Sequence, residues 1–192
     1  MLKKIISGFL LVLSISASPV FAQDESSESF ITSRTKSILD KVSVSKPEQY
    51  RPIIKEELLP LFDWEKISKG TLGKNWSSMT PEQIKEFTQS FQTLLIKTYG
   101  TSIEPYKKAT FSVVSARKSE NLDSVKVILK ASGQKNITLD YRITQVNQKY
   151  LIQDVIIEGL SFIQVFKTGF NDEISKTSVE AFLKKLATKS NS

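Results

Sequence analysis

Between residues 111 and 157 the apolar side chains stop recurring at helical intervals and begin to alternate. Val125, Val127 and Leu129 are set against Lys126 and Lys130, and Ile137, Leu139, Tyr141 and Ile143 interleave with Thr138, Asp140, Arg142 and Thr144. A period of two marks strands with one buried face and one wet face. Residues 111–116 and 150–157 read the same way, and Asn147-Gln148-Lys149 forms a tight turn before the last strand. Connections this short cannot carry the chain back for parallel pairing, so the sheet is antiparallel. About four strands are predicted.

Helical periodicity flanks this block on both sides. Phe30, Ile31, Ile38, Leu39 and Val42 lie on one helix face, and Tyr50, Ile53, Ile54, Leu58 and Leu61 on a second helix that ends at Pro60. Asp63 is placed to cap a short third helix through Leu72, with Gly73 at its left-handed end. Thr80-Pro81-Glu82-Gln83 reads as a capping box with proline at the first helical position. The long helix behind it carries Ile84, Phe87, Phe91, Leu94, Leu95, Tyr99 and Ile103 toward Glu104-Pro105. After Glu158-Gly159 the period returns to helical through Ile163, Phe166, Phe170 and Ile174, then Val179, Phe182, Leu183 and Leu186. Helices, a meander and helices again make an α+β single domain.

The first residues read as an address. Lys3 and Lys4 precede an apolar run over 5–15, and Val20-Phe21-Ala22 resembles a small-residue cleavage site. The run is shorter than the ~20 apolar residues a membrane span needs. Residues 1–22 are therefore expected to be a signal peptide cleaved after Ala22, leaving 23–192 as an exported domain.

Composition removes many chemistries. The chain has no His and no Cys, which excludes a Ser-His-Asp triad, a cysteine nucleophile, disulfides and His- or Cys-ligated zinc. Ser-x-x-Lys pairs recur, and Lys167-Thr168-Gly169 matches one element of Ser-Lys hydrolases. The Ser-Asp-Asn element is missing, however, and the Lys-Thr-Gly lies in a helical stretch. No acidic spacing matches a calcium loop. No metal and no cofactor are expected. A formal net charge of +7 favours anionic partners; for an exported chain these are lipid headgroups or an acidic docking protein, not nucleic acid. Eleven Phe, two Trp and five Tyr supply an ample core, and periodicity alone does not say whether that core is filled or hollow.

Two stretches carry a resemblance. Phe62-Asp63-Trp64, Leu72-Gly73, Trp76, Thr80 to Gln83 and Thr98-Tyr99 occur in one; Asp154-Val155, Ile157-Glu158-Gly159 and Ser161 in the other. In this order and spacing they resemble the MlaC, or toluene-tolerance, family of periplasmic phospholipid-binding proteins. Phe166-Lys167-Thr168 and Gly169 depart from the family pattern. The resemblance implies an antiparallel sheet covered by helices that enclose an apolar lipid pocket. It also implies a monomer that carries phospholipid between an outer-membrane lipoprotein–porin complex and an inner-membrane ABC transporter with an MCE-domain subunit, maintaining outer-membrane lipid asymmetry. Carried onto this chain, the lipid-lining candidates are Trp64, Ile67, Leu72, Trp76, Phe91, Leu95, Tyr99, Val127, Leu129, Leu139, Tyr141 and Ile152. Phospholipid would be cargo, and the protein no enzyme. Two other readings stay open: an exported hydrolase of envelope lipids using Asp154 or Glu158, and a non-catalytic adaptor with an ordinary core.

Energetics constrain a carrier. Each buried CH₂ is worth ~0.8 kcal/mol, so two acyl chains with about thirty methylenes represent on the order of 24 kcal/mol. A vacant, rigid cavity of ~800 Å³ would cost roughly 20 kcal/mol, more than the ~5–15 kcal/mol that holds a domain together. The expectation is that the pocket contracts when empty, or that lipid stays inside through purification.

Overall fold

In the computed structural model, which describes residues 25–191, the Ser26 hydroxyl accepts from the Ser29 N–H and starts helix α1 (Ser27–Val44). The leader and cleavage site read at 1–22 lie outside the described residues. One stripe of α1 is apolar along its length. Its first half brings Phe30 and Ile31 onto the sheet, and its second half brings Ile38 and Val42 onto the next segment.

That segment is not the single α-helix the sequence predicts. It runs as a 3-10 turn over Pro47–Gln49, an α turn α2 (Tyr50–Ile53), a π turn over Ile54–Leu58 and a second 3-10 turn over Leu59–Leu61. Pro52 and Pro60 have no N–H to complete the preceding turns, and an interrupted ladder changes pitch locally.

Helix α3 (Trp64–Leu72) begins where the Asp63 carboxylate accepts from the Lys66 N–H at 3.0 Å. It stops at Gly73, whose φ of +56° is costly for any residue with a Cβ. Helix α4 (Pro81–Tyr99) carries the predicted capping box: the Gln83 N–H donates to the Thr80 hydroxyl, and the Thr80 N–H to the Gln83 side chain. It ends short of Glu104-Pro105. At Gly100 a Cβ would stand 2.7 Å from Arg51 Cγ, and the Arg51 guanidinium donates to the Lys97 carbonyl at 3.1 Å. The 50s segment crosses the end of this helix at Gly100, directly after Tyr99.

The sheet is a meander of β1 (Thr110–Arg117), β2 (Asp123–Lys130), β3 (Ile137–Val146), β4 (Lys149–Ile157) and a two-residue β5 (Leu160–Ser161), antiparallel throughout. Two hairpins use two-residue turns with both residues at positive φ, Asn147-Gln148 and Glu158-Gly159; this primed geometry matches strand twist. Opposed residues share a face, so Val127, Leu139 and Ile157 form one inward row and Val125, Tyr141 and Val155 another. Helices α5 (Phe162–Lys176) and α6 (Val179–Asn191) complete the fold.

Buried residues divide into three clusters where most domains have one contiguous core. The first lies among α3, α4, α5 and α6 around Phe87 and Phe91; the second joins the inner sheet face to Phe30 and Ile31; the third joins α1 to the 50s segment through Val42 and Tyr50. Half-buried apolar residues border all three, and Phe62 packs against both the first and the second.

Candidate functional site

Both signature stretches build joints. In the first, Asp63 starts α3 and so places the Trp64 ring; Trp64 Nε1 donates to the Leu59 carbonyl at 2.8 Å. The ring meets Phe91 edge-on at 6.4 Å and tilts against Phe62 at 5.6 Å. Farther on, Asn171 Nδ2 donates to the carbonyls of Thr71 and Lys167, and its Oδ1 accepts from Asn75 at 2.7 Å. These bonds tie the Leu72-Gly73 end of α3 to α5. A Cβ on Gly73 would sit 3.1 Å from Lys167 Cε, so glycine serves there for both conformation and space.

In the second, Asp154 Oδ1 accepts from the N–H groups of Val155 and Ile163, while Oδ2 accepts from the Ser161 hydroxyl. Ser161 Oγ in turn accepts from the Gln164 N–H and caps α5. The carboxylate thus fastens the end of β4 to the start of α5. Glu158 accepts from the Thr138 N–H at 2.6 Å and pairs with Lys135 at 3.1 Å. The backbone bond first, and then Lys135, hold its carboxyl below the usual range. A general acid needs a raised value, and this environment pushes the other way. Among the described residues no group of three or more acidic side chains is arranged to hold a metal ion.

The twelve candidates fall into separate places. Ile67, Leu72, Phe91 and Leu95 are buried in the helical cluster, with Trp64 and Trp76 half-buried at its border. Val127 and Ile152 are buried in the sheet cluster, with Leu139 and Tyr141 half-buried against it. Leu129 is half-buried on the same inner face, opposite Phe111 and Ile137. Tyr99, expected to face inward, is 52% exposed on the last turn of α4.

Sequence reasoning left α5 out of the site. Phe162, Phe166 and Phe170, at a spacing of four, line up along it; their centroids lie 6.0, 4.9 and 5.2 Å from Phe91. That spacing was legible as one helix face. Its contact with the long helix was not.

Tyr141 links the sheet to α1 through a hydrogen bond with Thr35. Burial pushes its phenol up to about 12 from 10.0, and the Thr35 bond offsets only part of this. The fold favours the neutral phenol, so this stabilisation is complete below pH 10 and is lost as pH rises through about 12. Denaturant titrations of wild type and Tyr141→Phe should converge over that interval; parallel stability curves would contradict the assignment.

Clefts of about 220 and 270 Å³ lie among the described residues where Lys118 and Asp123 meet Gln145 and Tyr150. None of the twelve candidates lines either. Half-buried apolar residues border the helical and sheet clusters, and Phe62 packs against both.

The family model described as MlaC protein matches residues 31–188. This chain belongs to the MlaC family. It is 24% identical over 135 residues to the toluene tolerance protein ttg2D of Pseudomonas putida, covering 69% of this chain and 62% of that protein. It is 21% identical over 145 residues to the intermembrane phospholipid transport system binding protein MlaC of Haemophilus influenzae, covering 73% and 68%. The chain thus spans somewhat over three fifths of the length of the Pseudomonas relative. Its fold matches that of a phospholipid-binding protein from Ralstonia solanacearum, solved in complex with a phospholipid, with a TM-score of 0.78 at 21% identity, over 85% of this chain and 96% of the other.

Proposed function

We propose that this MlaC-family protein is an exported, periplasmic phospholipid carrier, which takes acyl chains into the seam between its helical and sheet clusters. The observation that supports this most is the division of the core: half-buried apolar residues border both buried clusters, Trp64 on the helical side and Leu139 and Tyr141 on the sheet side, with Phe62 packed against both. A relative with the same fold holds a phospholipid. In this reading the fully buried Ile67, Leu72, Phe91, Val127 and Ile152 brace the walls, and the half-buried residues meet the lipid. Residues 1–22 direct export, and no helix among the described residues is long and apolar enough to cross a membrane. The carrier works without catalysis and as a monomer. It exchanges lipid with an outer-membrane lipoprotein–porin complex and an inner-membrane MCE-domain transporter, which sustains lipid asymmetry.

The transfer is nearly balanced in free energy because the seam offers methylene groups an environment as dry as the one they leave. Asp154 and Glu158 serve structure in this scheme. The double variant Asp154→Asn/Glu158→Gln, purified and extracted with organic solvent, should release the same phospholipid per protein as wild type. Phospholipid in the variant alongside lysolipid or free fatty acid in wild type would instead establish a hydrolase.

A further inference from the structure

One end of the sheet gathers the connection before β1, the β2–β3 connection and the Glu158-Gly159 turn. Tyr106 on the first donates to the Lys135 carbonyl on the second at 3.1 Å, and Lys135 pairs with Glu158 on the third. The inner face loses its cover here. Leu160 is 66% exposed and its cross-strand partner Ile157 is 42% exposed, while Leu139, next across the sheet, is half-buried and Val127 beyond it is fully buried. Val165 on the first turn of α5 is also exposed. Contiguous exposed apolar residues mark an interaction surface.

The charge around this edge is mostly positive. Lys107, Lys108, Lys130 and Lys135 come from the two connections and the end of β2. The local acids are Glu104 and Glu158, and Glu158 is already engaged by Lys135 and the Thr138 N–H. The opposite end of the sheet is mixed, with Glu25, Glu28 and Asp123 beside Arg117 and Lys118. An apolar tip inside a cationic rim is complementary to a layer of anionic headgroups over acyl chains.

We propose that this end of the sheet seats directly on the surface of an anionic bilayer, with Leu160 and Ile157 entering the acyl boundary and the lysines lying against headgroup phosphates. The idea extends the carrier reading, because a lipid leaving the seam past Leu139 and Ile157 would pass straight into the membrane it faces. Each lysine held near an anionic surface strengthens partition by roughly fivefold, and the attraction weakens with salt.

The test is sedimentation of the lipid-loaded mature protein with vesicles of phosphatidylcholine alone or with phosphatidylglycerol added. Wild type should bind the anionic vesicles and not the neutral ones. The exposed pair Lys108→Glu/Lys130→Glu should weaken binding at least tenfold, as should Leu160→Ser. Lys118→Glu, at the other end, should leave it unchanged. Equal binding to neutral vesicles, no binding to either kind, or an effect of Lys118→Glu as large as that of the pair would overturn the proposal. Circular dichroism confirms folding, and phospholipid extracted from each sample separates the two readings. Undiminished lipid with lost sedimentation isolates docking, whereas wild type that sediments but contains no lipid contradicts the carrier reading alone.

Discussion

Replacing Phe91 with alanine should destabilise the protein by about 4 kcal/mol, the middle of the range for a buried aromatic truncated in a core that cannot collapse. Phe91 is fully buried and lies at the centre of five rings, Trp64, Phe87, Phe162, Phe166 and Phe170, at centroid distances of 4.9 to 6.4 Å. Those rings come from α3, α4 and α5, and each is also anchored elsewhere, Trp64 by its bond to Leu59 and α5 by Asn171 and Asp154. They cannot all close on the space a phenyl group leaves. For a domain of this size the melting temperature should fall by roughly 10–15 °C, as calorimetry of purified protein would show. A loss below about 1 kcal/mol would mean that the helical wall is loosely packed, and a loosely packed wall could not hold one side of a seam open.

The second large effect concerns cargo. Leu139 sits on the inner face in a row with the fully buried Val127 and the part-exposed Ile157. A carboxylate there can turn toward solvent past Ile157, so Leu139→Glu should fold. An acyl chain in the seam, however, would lie against an unpaired charge, a cost of several kcal/mol. Phospholipid recovered per protein should drop more than tenfold. Thr144→Glu, on the same strand but facing outward, should retain the wild-type load. Full retention in Leu139→Glu would remove this row from any lipid-binding role.

What the sequence disclosed and what it hid follow from the range of the interactions involved. Periodicity reports which face of an element is buried, and it placed the four long strands and the body of α4 because Val125, Val127 and Phe87 answer to local pattern. Cap chemistry is equally local: Asp63, Thr80 and Gln83 made the bonds their spacing predicted. The errors arise where a distant segment intervenes. Arg51 packs on the end of α4 from a distant segment. The 50s segment changes pitch around its prolines, and β5 has only two residues, too few to show alternation. Tyr99, read as inward-facing from the apolar stripe, is 52% exposed at the end of α4.

The same limit applies to the site. Trp64, Phe91, Leu139 and Tyr141 all carried the apolar signal, yet nothing in their spacing separates one core from three. The aromatic row of α5 was visible as a stripe, and its partner was not. Asp154 shows the reverse case. A carboxylate at a strand end invites a catalytic reading from sequence, but three hydrogen bonds to Val155, Ser161 and Ile163 make it a fastener.

The most direct measurement is the mass of the intact mature protein, sprayed from solution under conditions that preserve non-covalent complexes. The account predicts a species heavier than the polypeptide by a phospholipid, released as intact diacyl lipid on collisional activation. Polypeptide mass alone, from folded protein freshly purified from an envelope fraction, would contradict it.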